Sequence, residues 1–131
     1  FDLDLAKKES EENPYWYVQY AYARLNSILK KANKVPNYDP QKVFFVIKDI
    51  NSAKIILRKI HQFQDLIYLV YKEKRVNLLY EYLISLTRKI HNFYERERIL
   101  PDKRKIVFVY FLKEFLNFVL LCLNIKPIKK I

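Results

Sequence analysis

Asn13-Pro14-Tyr15-Trp16-Tyr17-Val18-Gln19-Tyr20-Ala21-Tyr22-Ala23-Arg24 opens a helix and loads it with two different stripes. Asn13 stands before a proline, which pushes it toward the extended geometry of an N-cap, and Pro14 suits the first helical position, where no amide hydrogen is required. The helix is therefore predicted to begin at Pro14. Val18, Ala21, Leu25, Ile28, Leu29 and Ala32 recur at three- and four-residue spacing and form an apolar face that must pack on something. About a quarter turn away lie Tyr17, Tyr20, Arg24, Ser27 and Lys31, so hydroxylated rings, a guanidinium and an ammonium share one edge. Such an edge can stack on bases and hold phosphates.

Working outward, residues 34–39 break this helix, and Asp39-Pro40 repeats the cap-plus-proline start for a short helix through about Asp49. Asn51 or Ser52 can cap the next one. From there Ile55, Ile56, Ile60, Phe63, Ile67, Val70 and Tyr71 hold a helical period through Lys74, with a bend expected near Gln64. Residues 76–97 form another helix with Leu79, Leu83, Leu86, Ile90, Phe93 and Tyr94 on its apolar face. Pro101-Asp102 starts the last. Its apolar positions, from Ile106 to Leu123, surround much of the circumference, so it is expected at the centre of the molecule, with Cys122 inside. The chain lacks glycine and its periodic runs are long, which points to an all-α bundle of five or six helices.

The formal net charge is +11 over 131 residues, and a domain with this excess attracts polyanions by its summed field and by counterion release. Residues 1–12 carry five acids against Lys7 and Lys8, a net of minus three, which leaves +14 on residues 13–131. The organisation is thus an acidic lead-in at 1–12 followed by a basic bundle at 13–131. Methionine is absent, and the chain opens mid-pattern on Phe1-Asp2-Leu3-Asp4-Leu5, so it reads as a piece of a longer protein.

No catalytic, metal or cofactor site assembles from these residues. Cys122 is the only cysteine, His61 and His91 lack ligands at metal spacing, and there is no glycine-rich phosphate loop. The stretch 106–125 is apolar enough to suggest a membrane span, but Lys113, Glu114 and Asn117 at its middle argue for a buried helix instead.

Two blocks resemble the anticodon-binding domain of arginyl-tRNA synthetases. The first is Asn13-Pro14, then Tyr17-Val18-Gln19-Tyr20-Ala21 with Ala23-Arg24 and Ser27-Ile28-Leu29. The second runs from Leu79-Tyr80-Glu81-Tyr82-Leu83 to Asn92-Phe93-Tyr94-Glu95 and Arg98-Ile99-Leu100. With the Leu123-Asn124-Ile125-Lys126-Pro127 tail, the resemblance covers nearly the whole chain. Departures fall at Tyr22, where that family generally has histidine, at Asn124, where it has glycine, and at Ile131, where it often ends in methionine.

The resemblance implies a class I synthetase type of helical domain that grips the anticodon stem and loop of an arginine tRNA. It also implies an upstream catalytic domain that uses ATP, a monomer, and a cytoplasmic setting. Tyr17, Tyr20 and Arg24 match positions that face the anticodon loop. Gln19 is a candidate for a base edge, while Lys31, Lys126, Lys129 and Lys130 are candidates for phosphates. The competing reading of the tyrosines is interhelical packing. Competing readings of the whole are a non-catalytic protein-interaction module and a standalone RNA-binding homologue.

Overall fold

The computed structural model describes residues 14–34, 37, 39, 42, 47 and 50–128. The acidic lead-in, Asn13, most of the short helix expected at 39–49, and Lys129 and Lys130 lie outside the described residues. Within them run α1 (Pro14–Ala32), α2 (Asn51–His61), α3 (Phe63–Glu73), α4 (Val76–Arg96) and α5 (Lys103–Cys122). No strand occurs among the described residues, and the fold class is all-α.

Only Gln62 separates α2 from α3. Its amide donates to the Arg58 carbonyl and its own carbonyl accepts from Leu66, so the hydrogen bonding runs through the join. Counted as one interrupted rod, the pair leaves four helices among the described residues, below the five or six expected for the chain, and the interruption falls two residues before the expected bend at Gln64.

The helix ends follow local chemistry. α1 starts at Pro14 as its sequence predicts and stops at Ala32, where Asn33 adopts φ 65°, a left-handed geometry that asparagine tolerates better than most residues. Asp102 caps α5, its Oδ1 accepting from the Arg104 amide at 2.9 Å. Neither Asn51 nor Ser52 caps α2, which begins at Asn51 behind Ile50 with no side-chain cap bond. Ser52 lies inside the first turn, and its hydroxyl donates to Glu97 Oε1 at 3.0 Å, a charged acceptor.

The central element is α4, which packs against α1, α2 and α3, while α5 packs mainly on α1. This corrects the expectation of a central last helix. The α4 stripe of Leu79, Tyr82, Leu83, Leu86, Ile90 and Phe93 is buried along the whole rod and serves three neighbours. On α5 the buried run thins toward the end, and Phe118, Leu121 and Cys122 are exposed. Cys122 is therefore outside the bundle, because Leu116, Val119 and Leu120 take the inward side of the last turns and leave the opposite side to water. Phe93 meets Phe108 edge-on at 5.1 Å, and Phe63 meets Phe115 at 5.4 Å, which locks α5 to α4 and α3. Of these, Phe93 and Phe108 are fully buried, and each stabilises the fold by about 1.5–3 kcal/mol. No helix among the described residues is long and apolar enough to cross a membrane.

Candidate nucleic-acid interface

The first half of α1 is enclosed on nearly every side. Tyr17, Val18, Gln19, Tyr20, Ala21, Tyr22 and Ala23 are all buried, where periodicity alone predicts one buried stripe. The Tyr17 and Tyr20 rings stack on His91 of α4 at 4.5 Å and 5.6 Å. His91 is itself buried, with Nε2 3.4 Å from the Tyr17 carbonyl oxygen and Nδ1 hydrogen-bonded to the Tyr94 hydroxyl. A carbonyl only accepts, so Nε2 carries the proton and Nδ1 accepts from Tyr94. Burial pushes the Tyr94 hydroxyl far above the ordinary phenol range, Tyr20 and Glu95 add to the rise, and Arg24 opposes it. Tyr94 is thus held as a donor. Tyr22 is likewise shifted upward, by burial and then by Glu114 of α5.

This geometry revises the expectation that Tyr17 and Tyr20 form an open stacking surface. Their faces are occupied by an imidazole and their edges are covered, so they set the shape of α1 from beneath.

Gln19 has a different task from reading a base. α5 ends in a complete Schellman motif, with Asn124 at φ 58°, its amide donating to Leu121 O at 2.9 Å and the Ile125 amide to Leu120 O at 2.9 Å. Asparagine here replaces glycine at a left-handed position. The motif turns the tail back toward α1. There Gln19 Nε2 donates to the Lys126 carbonyl at 3.0 Å, and Gln19 Oε1 accepts from the Ile128 amide at 2.7 Å. Both ends of one buried amide are used, and residues 126–128 are fastened along the helix.

What remains accessible is more compact. Tyr15 and Trp16 are 46% and 43% exposed and meet edge-to-face at 5.3 Å. They precede Gln19 by four and three residues, which puts them one turn away on the same side of the helix. Lys126 is exposed on the fastened tail, and Arg24 is partly exposed. Lys31 is exposed too, but it lies about 18 Å along the axis from Gln19 at 1.5 Å per residue. The structure therefore brings Lys126 to the Gln19 end of α1 and leaves Lys31 at the other.

Sequence reasoning missed Tyr15, Trp16 and His91. The first two sit in the opening turn, before the buried run, and two adjacent aromatics at a helix start were the available signal. His91 and Tyr94 are three apart on α4, the spacing of side chains that meet on one face.

The family model described as the DALR anticodon binding domain matches residues 18–131. Among curated relatives, an arginine–tRNA ligase of Desulfitobacterium hafniense is 37% identical over 107 residues, covering 79% of this chain and 19% of that protein. The arginine–tRNA ligase of Staphylococcus carnosus is 32% identical over 105 residues, covering 80% and 19%. The fold is similar to a crystal structure assigned as an arginyl-tRNA synthetase of Campylobacter jejuni, with a TM-score of 0.76 at 19% identity over all of this chain and 29% of that one. The chain spans about a fifth of the length of the curated relatives it matches.

Proposed function

This chain belongs to the DALR anticodon binding domain family, and we propose from that premise that it grips the anticodon stem and loop of an arginine tRNA as one domain of an arginine–tRNA ligase. On this reading the whole protein joins arginine to its tRNA with ATP, in a catalytic domain that precedes this chain, and works as a cytoplasmic monomer. The observation that carries the reading is the exposed Tyr15–Trp16 pair set one turn from a fastened tail that presents Lys126, with Arg24 further along the same helix.

Unpaired loop bases stack on such rings, and a guanidinium reaches phosphate or base edge with a fixed fork of donors. Lys31, Lys126, Lys129 and Lys130 neutralise backbone charge. Tyr17, Tyr20 and Gln19 contribute by holding the helix and the tail in register.

The test is a titration of the chain with arginine tRNA and a non-cognate tRNA at two salt concentrations. Trp16→Ala and Arg24→Ala are expected to weaken the cognate complex more than the other, by about 1–3 kcal/mol for a lost stacked ring. Lys126→Ala should weaken both alike and flatten the salt dependence by up to about one unit of slope. Equal losses on every RNA from all three variants would mean a generic polyanion surface and would overturn anticodon recognition.

A further inference from the structure

At the far end of α1 a cavity of about 480 Å³ opens between the end of that helix and the start of α5. Lys31 and Lys34, at and just past the end of α1, line it together with Lys103, at the start of α5, and with Leu100, Pro101 and Ile106. Among the described residues no carboxylate lines it. The acid nearest in sequence, Asp102, is engaged elsewhere, capping α5 through the Arg104 amide and pairing with the Arg104 guanidinium at 3.4 Å.

Three ammonium groups from two separate helix ends repel one another unless an anion sits among them, and lysine is a compact point charge suited to phosphate. The start of α5 adds the positive end of a helix dipole. The rest of the lining includes the apolar Leu100, Pro101 and Ile106, which suit the face of a base and offer nothing to a free inorganic anion. The volume falls within the roughly 300–1,000 Å³ of small-ligand sites.

We propose that this cavity holds one unpaired nucleotide of bound RNA, its phosphate among Lys31, Lys34 and Lys103 and its base against Leu100, Pro101 and Ile106. The site rests on the RNA-binding reading above and adds a second point of attachment, about 22 Å along α1 from Trp16 at 1.5 Å per residue. Two anchors at opposite ends of one rigid helix fix the direction of a strand as well as its presence.

The experiment compares the 131-residue chain with a triple variant, Lys31→Ala, Lys34→Ala and Lys103→Ala, and with a control of equal net charge, Arg58→Ala, Lys72→Ala and Arg88→Ala. All six positions are exposed, so both variants keep the fold. Affinity is measured for arginine tRNA and for a fully paired RNA duplex across a salt series. The site triple is expected to lose about tenfold or more on tRNA near about 100 mM salt, with a slope smaller by about two units, while its affinity for duplex stays within about twofold. The control should stay within about twofold on both RNAs.

Equal losses by the two variants would overturn the site, leaving only net charge. So would a loss on duplex as large as on tRNA, because no unpaired base is then involved. Absence of any tRNA binding by the unaltered chain would bring down the RNA-binding reading itself. Intact tRNA binding with an unaffected triple would remove this cavity alone.

Discussion

Gln19 and Glu97 each tie separate parts of the chain together, one as a buried neutral amide and the other as an ionised carboxylate near the surface. Gln19 is fully buried and fastens residues 126–128 to α1 through two hydrogen bonds. Glu97 follows the end of α4, where one oxygen accepts from Ser52 of α2 and the other lies 3.0 Å from Lys105 Nζ of α5. The first clasp carries no charge, so pH and salt leave it alone, and breaking it strands polar groups that had given up water. The second is stronger on paper as a charged interaction, yet it is only partly buried, so water and ions still reach and screen it. Burial, more than formal charge, decides which clasp matters for the fold.

The largest effect is expected from Gln19→Leu, which keeps the volume and removes both hydrogen bonds. The Lys126 carbonyl and the Ile128 amide then lose their partners, at a cost of about 1–3 kcal/mol. The tail relieves part of that by swinging into water. Hydrogen exchange should therefore speed up at the Ile128 amide while the amides of α4 keep their protection, and tRNA affinity should fall along with Lys126 placement. A change under about 0.5 kcal/mol in urea unfolding, with unchanged exchange in the tail, would make the two clasps equals and dissolve the contrast.

The same contrast marks how far the sequence could be read. Helix positions were legible because α1, α4 and α5 carry long runs, and because proline or aspartate marks the starts of α1 and α5, as Pro14 and Asp102 show. Burial was legible where a helix turns a single stripe inward, as α4 does toward its three neighbours. It was not legible in the first half of α1, where α4, α5 and the returning tail cover three sides and Tyr17, Gln19 and Tyr20 go inward against the simple period. A period reports one apolar face, and it carries no information on a tail that arrives more than a hundred residues later. Cys122 failed for the opposite reason. Its leucine neighbours suggest a core, but Val119 and Leu120 take the inward side of that last turn and leave Cys122 on the side that faces water. Among the candidate contacts, Arg24, Lys31 and Lys126 are accessible as read, whereas the aromatic pair Tyr15–Trp16 depends on knowing which turn stays uncovered.

A smaller effect is expected at the turn that delivers the tail to Gln19. Asn124 stands at φ 58°, where a β-branched residue suffers a steric penalty and glycine suffers none. Asn124→Val should destabilise by about 1–2 kcal/mol, and Asn124→Gly should be neutral or slightly stabilising. If the Gln19 clasp and this turn act as one unit, Asn124→Val and Gln19→Leu combined will cost less than the sum of the two alone. Strict additivity in a double-mutant cycle would show that the tail is held at two independent points.

The smallest effect is expected at Glu97, and it is the one that pH should switch. The hydrogen bond from Lys105, followed by that from Ser52, holds the Glu97 carboxyl below its ordinary range. A folded value below the unfolded one means stability that is fully present above the unfolded pKa and is lost as pH falls through the folded one. The pair is only partly buried, so solvent still screens it and keeps the contribution to about 0.2–1 kcal/mol. Glu97→Gln retains an acceptor for Ser52 and removes only the charge. Urea unfolding should therefore separate the two proteins by that amount near neutral pH, and the gap should close as the pH falls through the lowered folded value, below which the carboxylate is protonated in both states. High salt should also narrow it, because the Lys105 pair is accessible to ions. Gln19→Leu should show neither dependence. A Glu97→Gln gap that persisted in acid would place the value of this residue in its hydrogen-bond geometry, and the two clasps would then differ in burial but not in kind.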